Sequence, residues 1–297
     1  DMVVIDPTVT YDSDFDAKKA VAQIKNSKAH DKKHRKMVIA YIDIGEMEEW
    51  RWYWGNNKMY EPKGKCKTSY AKEIQIWAPW VVGCDPDGWA GNYPVAYWDQ
   101  NWKDIVIYGS NLGKKTYYSS MLDEVIKDGF DGVYLDWVEA YEDEKVIARA
   151  KKDGVDPVAE MLQFIKEIKQ YGQKHNPNFI VIQQNASGLI DEVGPQKATQ
   201  YIDAIAQEHV WYYGEAGDSW KDRDSYNKKI DKDLNKFYLR TLKEYKKAGL
   251  PVFDIEYAAG KKRVKNLCKK SRKYGFVPYI TRASLSRLTN TSPFKHY

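Results

Sequence analysis

The sequence predicts an α/β protein of the (β/α)8 TIM-barrel class, one domain over residues 1–297, with a long aromatic-rich loop between its second and third strands. Two observations predict it. Eight short, nearly continuous apolar runs recur along the chain, most closed by a polar residue, as in parallel strands buried on both faces. Amphipathic helical stretches separate them, and 297 residues suit a single barrel. A doubly wound open sheet is the alternative, but no Gly-rich phosphate turn follows any run.

The strand-like runs are 2–6 (MVVID), 38–44 (VIAYIDI), 93–99 (YPVAYWD), 132–137 (GVYLDW), 179–185 (FIVIQQN), 204–209 (AIAQEH), 252–257 (VFDIEY) and 276–282 (FVPYITR). If 93–99 is not a sheet strand, the barrel needs another, for instance one upstream of Asp1. Helical spacing covers 16–27 (Ala17, Ala20, Val21, Ile24), 119–127 (Met121, Leu122, Val125, Ile126), 157–171 (Val158, Met161, Leu162, Ile165, Ile168) and 233–247 (Leu234, Phe237, Leu242, Tyr245). Gly129 and Gly249 read as helix C-caps before the next strand. Between the second and third runs, residues 47–92 carry Trp50, Trp52, Trp54, Tyr60, Trp77, Trp80 and Trp89. A loop over the C-terminal face of a barrel is where binding surfaces are built, and a packed structural loop is the competing reading.

Composition excludes several classes. Lys and Arg number 47 against 42 Asp and Glu, a net charge of +5. The lysines lie on helical stretches as solvated faces, such as Lys243, Lys246 and Lys247, so no nucleic-acid partner is expected. No run approaches the ~18–20 apolar residues that cross a bilayer. The chain begins Asp1-Met2-Val3, so a signal peptide is read as removed and the location as extracellular or cell-surface. Cys66 and Cys84 share the Gly- and Pro-rich loop, where pairing and two free thiols are both open; none of the three cysteines has metal-ligand spacing. No metal and no cofactor are expected.

In a barrel, side chains at the C-terminal ends of strands face the active site. Those ends carry Asp6, Asp43, Asp99, Asp136, Asn185, Glu208, Asp254 and Glu256. Seven of the eight are carboxylates on a basic chain, and strand interiors seldom hold acids, so the ring needs a purpose. Period-two alternation puts Tyr134 and Asp136 on one side of their strand and brings Asp136 to its end, beside Trp137. Asp131, before the strand, reads as a structural turn residue at the opposite face. Ala204, Ala206 and Glu208 share a face, and the two small alanines leave Glu208 room. His209, Trp211, Tyr212 and Tyr213 are expected to wall it with apolar surface, which disfavours the charged form and suits a proton donor. Carboxylates on strands separated by one neighbour can lie ~5–5.5 Å apart, the spacing of a retaining glycosidase. Many barrel enzymes carry paired acids for other reactions.

The stretches 38–46 (VIAYIDIGE), 89–93 (WAGNY) leading into 97–99 (YWD), 129–137 (GFDGVYLDW), Glu208 with Trp211-Tyr212, and 252–257 (VFDIEY) resemble glycoside hydrolase family 114 across nearly the whole chain. That resemblance implies a (β/α)8 barrel with endo-α-1,4-polygalactosaminidase activity. It implies Asp136 and Glu208 as the catalytic pair, Asp136 as nucleophile and Glu208 as acid/base by likeness to other barrels that cleave α-linked sugars. The expected partner is a polysaccharide or oligosaccharide, cationic where its galactosamine is deacetylated, bound by a monomer. Asp6, Asp43, Asp99 and Glu256 become candidates to hold its amino or hydroxyl groups, with Asn185 among the strand-end residues. Tyr41, Trp98, Tyr134, Trp137 and Tyr212 become candidates to stack on or bond its rings, and Arg282 to orient an acid. The alternatives are a catalytically silent glycan-binding barrel and a hydrolase of another α-linked polysaccharide. Family members have also been labelled as relatives of cysteinyl-tRNA synthetase, but adenylate-binding motifs and clustered zinc cysteines are missing.

Overall fold

Short runs rich in Val and Ile form strands here, and Asp or Ser opens most of the helices between them. The computed structural model describes residues 1–7, 15–29, 31–54, 68–110, 118–213, 228–257, 261–283 and 285. Its strands are β1 (Met2–Ile5), β2 (Met37–Asp43), β3 (Glu46–Glu48), β4 (Asn92–Pro94), β5 (Gly132–Asp136), β6 (Ile180–Gln184), β7 (Ala204–Glu208), β8 (Tyr212–Tyr213), β9 (Lys228–Lys229), β10 (Val252–Tyr257) and β11 (Val277–Thr281). Seven follow one another in the hydrogen-bonding order β1-β2-β5-β6-β7-β10-β11. The pairs β1·β2, β2·β5, β7·β10 and β10·β11 are parallel. Two compact units divide the chain, Asp1–Ile182 and Gln183–Tyr297.

In the first unit β2 and β5 form the core, with Val38, Ile39, Ala40, Ile42, Val133 and Leu135 fully buried. Gly132 is obligatory: a Cβ there would press into the backbone of Ile180. The flanking helices begin on side-chain caps. Ser120 accepts from Asp123 N ahead of Met121–Lys127, Asp143 caps Glu144–Asp153, and Asp156 with Pro157 at the first position opens Pro157–His175. The last of these buries Met161, Ile165 and Ile168 of the expected stripe together with Phe164, while Val158 and Leu162 stay half-buried.

One expected barrel strand is overturned. Residues 93–99 do not enter the parallel sheet, and β2 pairs directly with β5. Instead β4 pairs antiparallel with β3. Pro94 has no N–H for a ladder, Val95 N donates to Gly45 O, and Ala96 N donates to Trp80 O. Asp99 then caps the helix Gln100–Lys103.

The aromatic-rich loop is largely a small core of its own. Trp52, Tyr53, Trp54 and Trp80 are buried, Trp54 stacks on Tyr93 at 5.6 Å, and Trp77 meets Trp54 edge-on. Of its tryptophans, Trp89 stays 68% exposed. Tyr60 lies outside the described residues. Cys84 is disulfide-bonded and Cys268 is a buried free thiol, while Cys66, the candidate partner, lies outside the described residues.

The second unit builds on β7, β10 and β11. Its helix Lys232–Lys247, capped by Asp231, buries Thr241, Leu242 and Tyr245. Lys261–Lys273 follows β10 and buries Val264, Leu267, Cys268 and Ser271. No helix among the described residues is long and apolar enough to cross a membrane.

Candidate active site

Asp136 ends β5 in register with Asp43, at the end of β2. Parallel pairing sets their α-carbons side by side, so two acids meet at one level of the sheet. Tyr41 donates its hydroxyl to Asp136 Oδ2 at 2.6 Å, and Trp137 N–H donates to Oδ1 at 2.9 Å. Trp137 itself takes the left-handed conformation, φ 58°. Gly45 permits the approach, since a Cβ there would lie 2.8 Å from Trp137 Cε3 and press into its carbonyl oxygen.

Around this carboxylate the acids are buried. Asp43 accepts from the N–H groups of Gly45 and Glu46 at 3.0 and 2.8 Å. Burial, and then the negative charges of Glu46, Glu48 and Asp136, hold it well above the usual carboxylate range. Burial likewise pushes Glu46 up to about 10, against a 2.9 Å hydrogen bond from Asn92 Nδ2. Glu48 accepts from Arg51 Nε at 2.6 Å, and Arg51 reaches Asp6 at the end of β1 at 2.5 Å. Burial and the Asp136 charge also raise Tyr41, so its hydroxyl stays a donor.

In the second unit Glu208 ends β7. Asn185, just after β6, takes φ 54°, which Asn tolerates better than most side chains. Its Oδ1 accepts from Glu208 N at 3.0 Å and from Gln207 Nε2 at 3.1 Å, and its Nδ2 donates to Glu208 Oε2 at 3.1 Å. Tyr257, at the end of β10, donates to Glu208 Oε1. His209 also lies at φ 55°, its ring 5.3 Å from that of Tyr257. Left-handed non-glycine residues thus follow β5, β6 and β7, where such backbone strain commonly marks functional sites.

Of the residues expected to wall Glu208, Trp211 turns its indole to β10, where Nε1 donates to Asp254 at 2.9 Å, and the N–H groups of Trp211 and Tyr212 donate to Glu256 at 2.6 and 3.3 Å. Burial and the Asp254 charge hold Glu256 well above its usual range. Burial also raises Asp254 to about 6, against hydrogen bonds from Ser271 and Trp211.

A sequence profile of glycoside hydrolase family GH114 matches residues 3–293. The chain belongs to that family. This GH114 chain is 30% identical to a Deinococcus radiodurans protein over 86% of its own length and 67% of the relative's. It is 30% identical to a Methanocaldococcus jannaschii protein over 85% of its length and 63% of that protein's. It therefore spans about two-thirds of these relatives. The glycoside hydrolase domain of PelA from Pseudomonas aeruginosa superposes with a TM-score of 0.59 at 15% identity, over 97% of this chain and 89% of that one. Aspergillus fumigatus Ega3, solved in complex with galactosamine, gives 0.54 at 18% identity, over 97% and 92%. These likenesses show the fold, the TIM-barrel type expected from the alternating strands and helices.

The residues expected at the site of this GH114 chain divide. In the first unit Tyr41, Asp43, Tyr134 and Asp136 gather on β2 and β5, with Trp137 following. Asn185 and Glu208 meet in the second unit, and Tyr212 and Glu256 bond one another beside them. Arg282 follows β11 and is buried. Asp6 is tied to Arg51. Trp98 and Asp99 have structural tasks: Trp98 Nε1 donates to Asp153 at 3.1 Å, and Asp99 accepts from Asn101 N at 2.9 Å. Burial, with the neighbouring acids, shifts Asp43 and Glu256 toward their neutral forms. Sequence reasoning missed Glu46, Glu48, Arg51 and Tyr257. Glu46 and Glu48 were legible as alternate positions beyond the β2 end, whereas only tertiary structure shows what Tyr257 reaches. Among the described residues no three His, Cys, Asp or Glu side chains are grouped to hold a metal ion.

Proposed function

We propose that this GH114 chain hydrolyses an α-1,4-linked, galactosamine-containing polysaccharide by a retaining two-carboxylate mechanism. The supporting observation is the setting of two acids at barrel strand ends. Asp136 takes donors from Tyr41 and Trp137, and Glu208 takes donors from Asn185 and Tyr257. In the first step Glu208 gives its proton to the glycosidic oxygen as the bond to the anomeric carbon breaks. Asp136 attacks that carbon and forms a glycosyl ester. In the second step the Glu208 carboxylate takes a proton from water, and the water oxygen displaces Asp136.

Membership of GH114 and the galactosamine bound to Ega3 support the substrate class. A deacetylated galactosamine polymer is cationic and would be drawn to ionised strand-end acids. The bonded Cys84 supports an oxidising, extracellular location. The reading includes action as a monomer.

The test is release of oligosaccharides from partially deacetylated α-1,4-galactosaminan, followed by mass spectrometry, for wild type, Asp136→Asn and Glu208→Gln. Wild-type release with losses of about a thousandfold or more in both folded variants supports the pair. Tight binding without release would instead mark a glycan-binding barrel. Neither binding nor release would mean that another α-linked polysaccharide is the substrate.

A further inference from the structure

We infer that Asn185 and Tyr257 are positioning residues that decide which oxygen of Glu208 carries the transferable proton, placing it on Oε1. This inference rests on the acid/base role proposed for Glu208. The argument starts from the orientation of one amide. Asn185 Oδ1 already accepts from Glu208 N at 3.0 Å and Gln207 Nε2 at 3.1 Å. Both donors belong to the strand that carries Glu208, so reversing the amide would set an NH2 group against two N–H groups. The orientation is therefore locked, and Nδ2 must point at Glu208 Oε2, 3.1 Å away. An amide nitrogen donates and never accepts. Oε2 is thus a permanent acceptor, and a proton placed there would face another N–H.

Oε1 has a different partner. The Tyr257 hydroxyl both donates and accepts, so it tolerates either state of that oxygen. It donates to Oε1 when Glu208 is a carboxylate and accepts from Oε1–H when Glu208 is the acid. The pair divides the work: Asn185 fixes the carboxyl plane and excludes one protonation site, and Tyr257 follows the proton on the other.

The backbone explains the choice of Asn. Position 185 lies at φ 54°, where Asn is accommodated, and Asn185 N donates to Ala206 O at 2.7 Å, which seats the residue against β7. Among the described residues, His209 is a titratable group packed against this pair. Its Nδ1 lies 3.1 Å from Tyr212 O and its ring packs against Tyr257.

The experiment compares Asn185→Asp and Tyr257→Phe with wild type by two readouts. The first is the pH profile of kcat/KM on the galactosaminan. The second needs no substrate: the carbon-13 titration of the Glu208 side-chain carboxyl, assigned against Glu208→Gln. Asn185→Asp keeps both acceptor bonds through Oδ1 but sets a carboxylate against Oε2, so the two acids share a proton. The Glu208 midpoint and the basic limb of the profile should rise by about two pH units. Tyr257→Phe removes a donor to the carboxylate and should raise both by about one unit, with kcat reduced about tenfold to a hundredfold. A purely structural role would lower the rate and leave both midpoints in place. Unmoved titrations in both folded variants would overturn the inference. A wild type without activity but with shifted carbon titrations would overturn the proposed reaction and leave the positioning intact.

Discussion

Two aspartates five residues apart in GFDGVYLDW should divide stability from chemistry, and Asp131→Ala is the decisive perturbation. Asp131 precedes β5 at the end opposite Asp136, the end of a barrel strand that serves stability. Its carboxylate accepts from Arg35 through both guanidinium nitrogens at 2.8 Å, from Lys25 at 2.8 Å and from Val38 N at 2.9 Å. Arg35 is half exposed, so the two cations together contribute about 1 kcal/mol after screening. Val38 is fully buried, and orphaning its N–H costs about 1–3 kcal/mol. The sum is about 3 kcal/mol, or roughly 6–12 °C in Tm. Burial raises the Asp131 carboxyl, but the bonds from Arg35, Lys25 and Val38 outweigh it and hold it below the usual aspartate value of 3.8. The stabilisation is therefore full above pH 4 and is lost as pH falls through the lowered value, so mutant and wild type converge in acid. Urea unfolding at pH 7 and pH 3, with kcat per folded molecule, is the assay. Asp136→Asn should show the reverse, with near-wild-type stability and no turnover. A stability loss under 0.5 kcal/mol for Asp131→Ala, or a loss of turnover matching Asp136→Asn, would refute the division.

Two further outcomes follow from the geometry. Gly45→Ala should displace Trp137, whose N–H holds Asp136, destabilising the fold by about 1–3 kcal/mol and lowering kcat at least tenfold; full activity would show that Trp137 does not set the nucleophile. Burial pushes Asp254 up to about 6 in the folded chain, against 3.8 for an ordinary aspartate, so the native chain binds the extra proton between those values and loses stability as pH rises through them. Asp254→Asn should flatten that slope in urea midpoints taken from pH 4 to 8, and a slope like the wild type's would exclude Asp254 as its source.

Local rules act over a few residues, and what they govern was legible in the sequence. Alternation placed Asp136 and Glu208 at the ends of their strands, and apolar runs located seven of the eight expected barrel strands within a residue or two at each end. The C-cap glycines marked helix ends, Gly129 and Gly249 following Asp128 and Ala248 at φ 81° and 93°. The 93–99 run shows where such reasoning stops. Its apolar residues satisfy a strand pattern, but Val95 and Ala96 find their hydrogen-bond partners in Gly45 and Trp80, which only the folded chain brings near. The same holds for each acid's role. Tyr41 reaches Asp136 across 95 positions, Tyr257 reaches Glu208 across 49, and Trp211 reaches Asp254 across 43. Carboxylates at strand ends are a property of sequence period; whether each is ionised, protonated or consumed as a clamp depends on burial and on donors from distant segments. The sequence by itself determined where the acids stand along the strands. Tertiary structure decided their charge and their partners, because desolvation and hydrogen bonding are set by what packs against a side chain, and no local pattern encodes that.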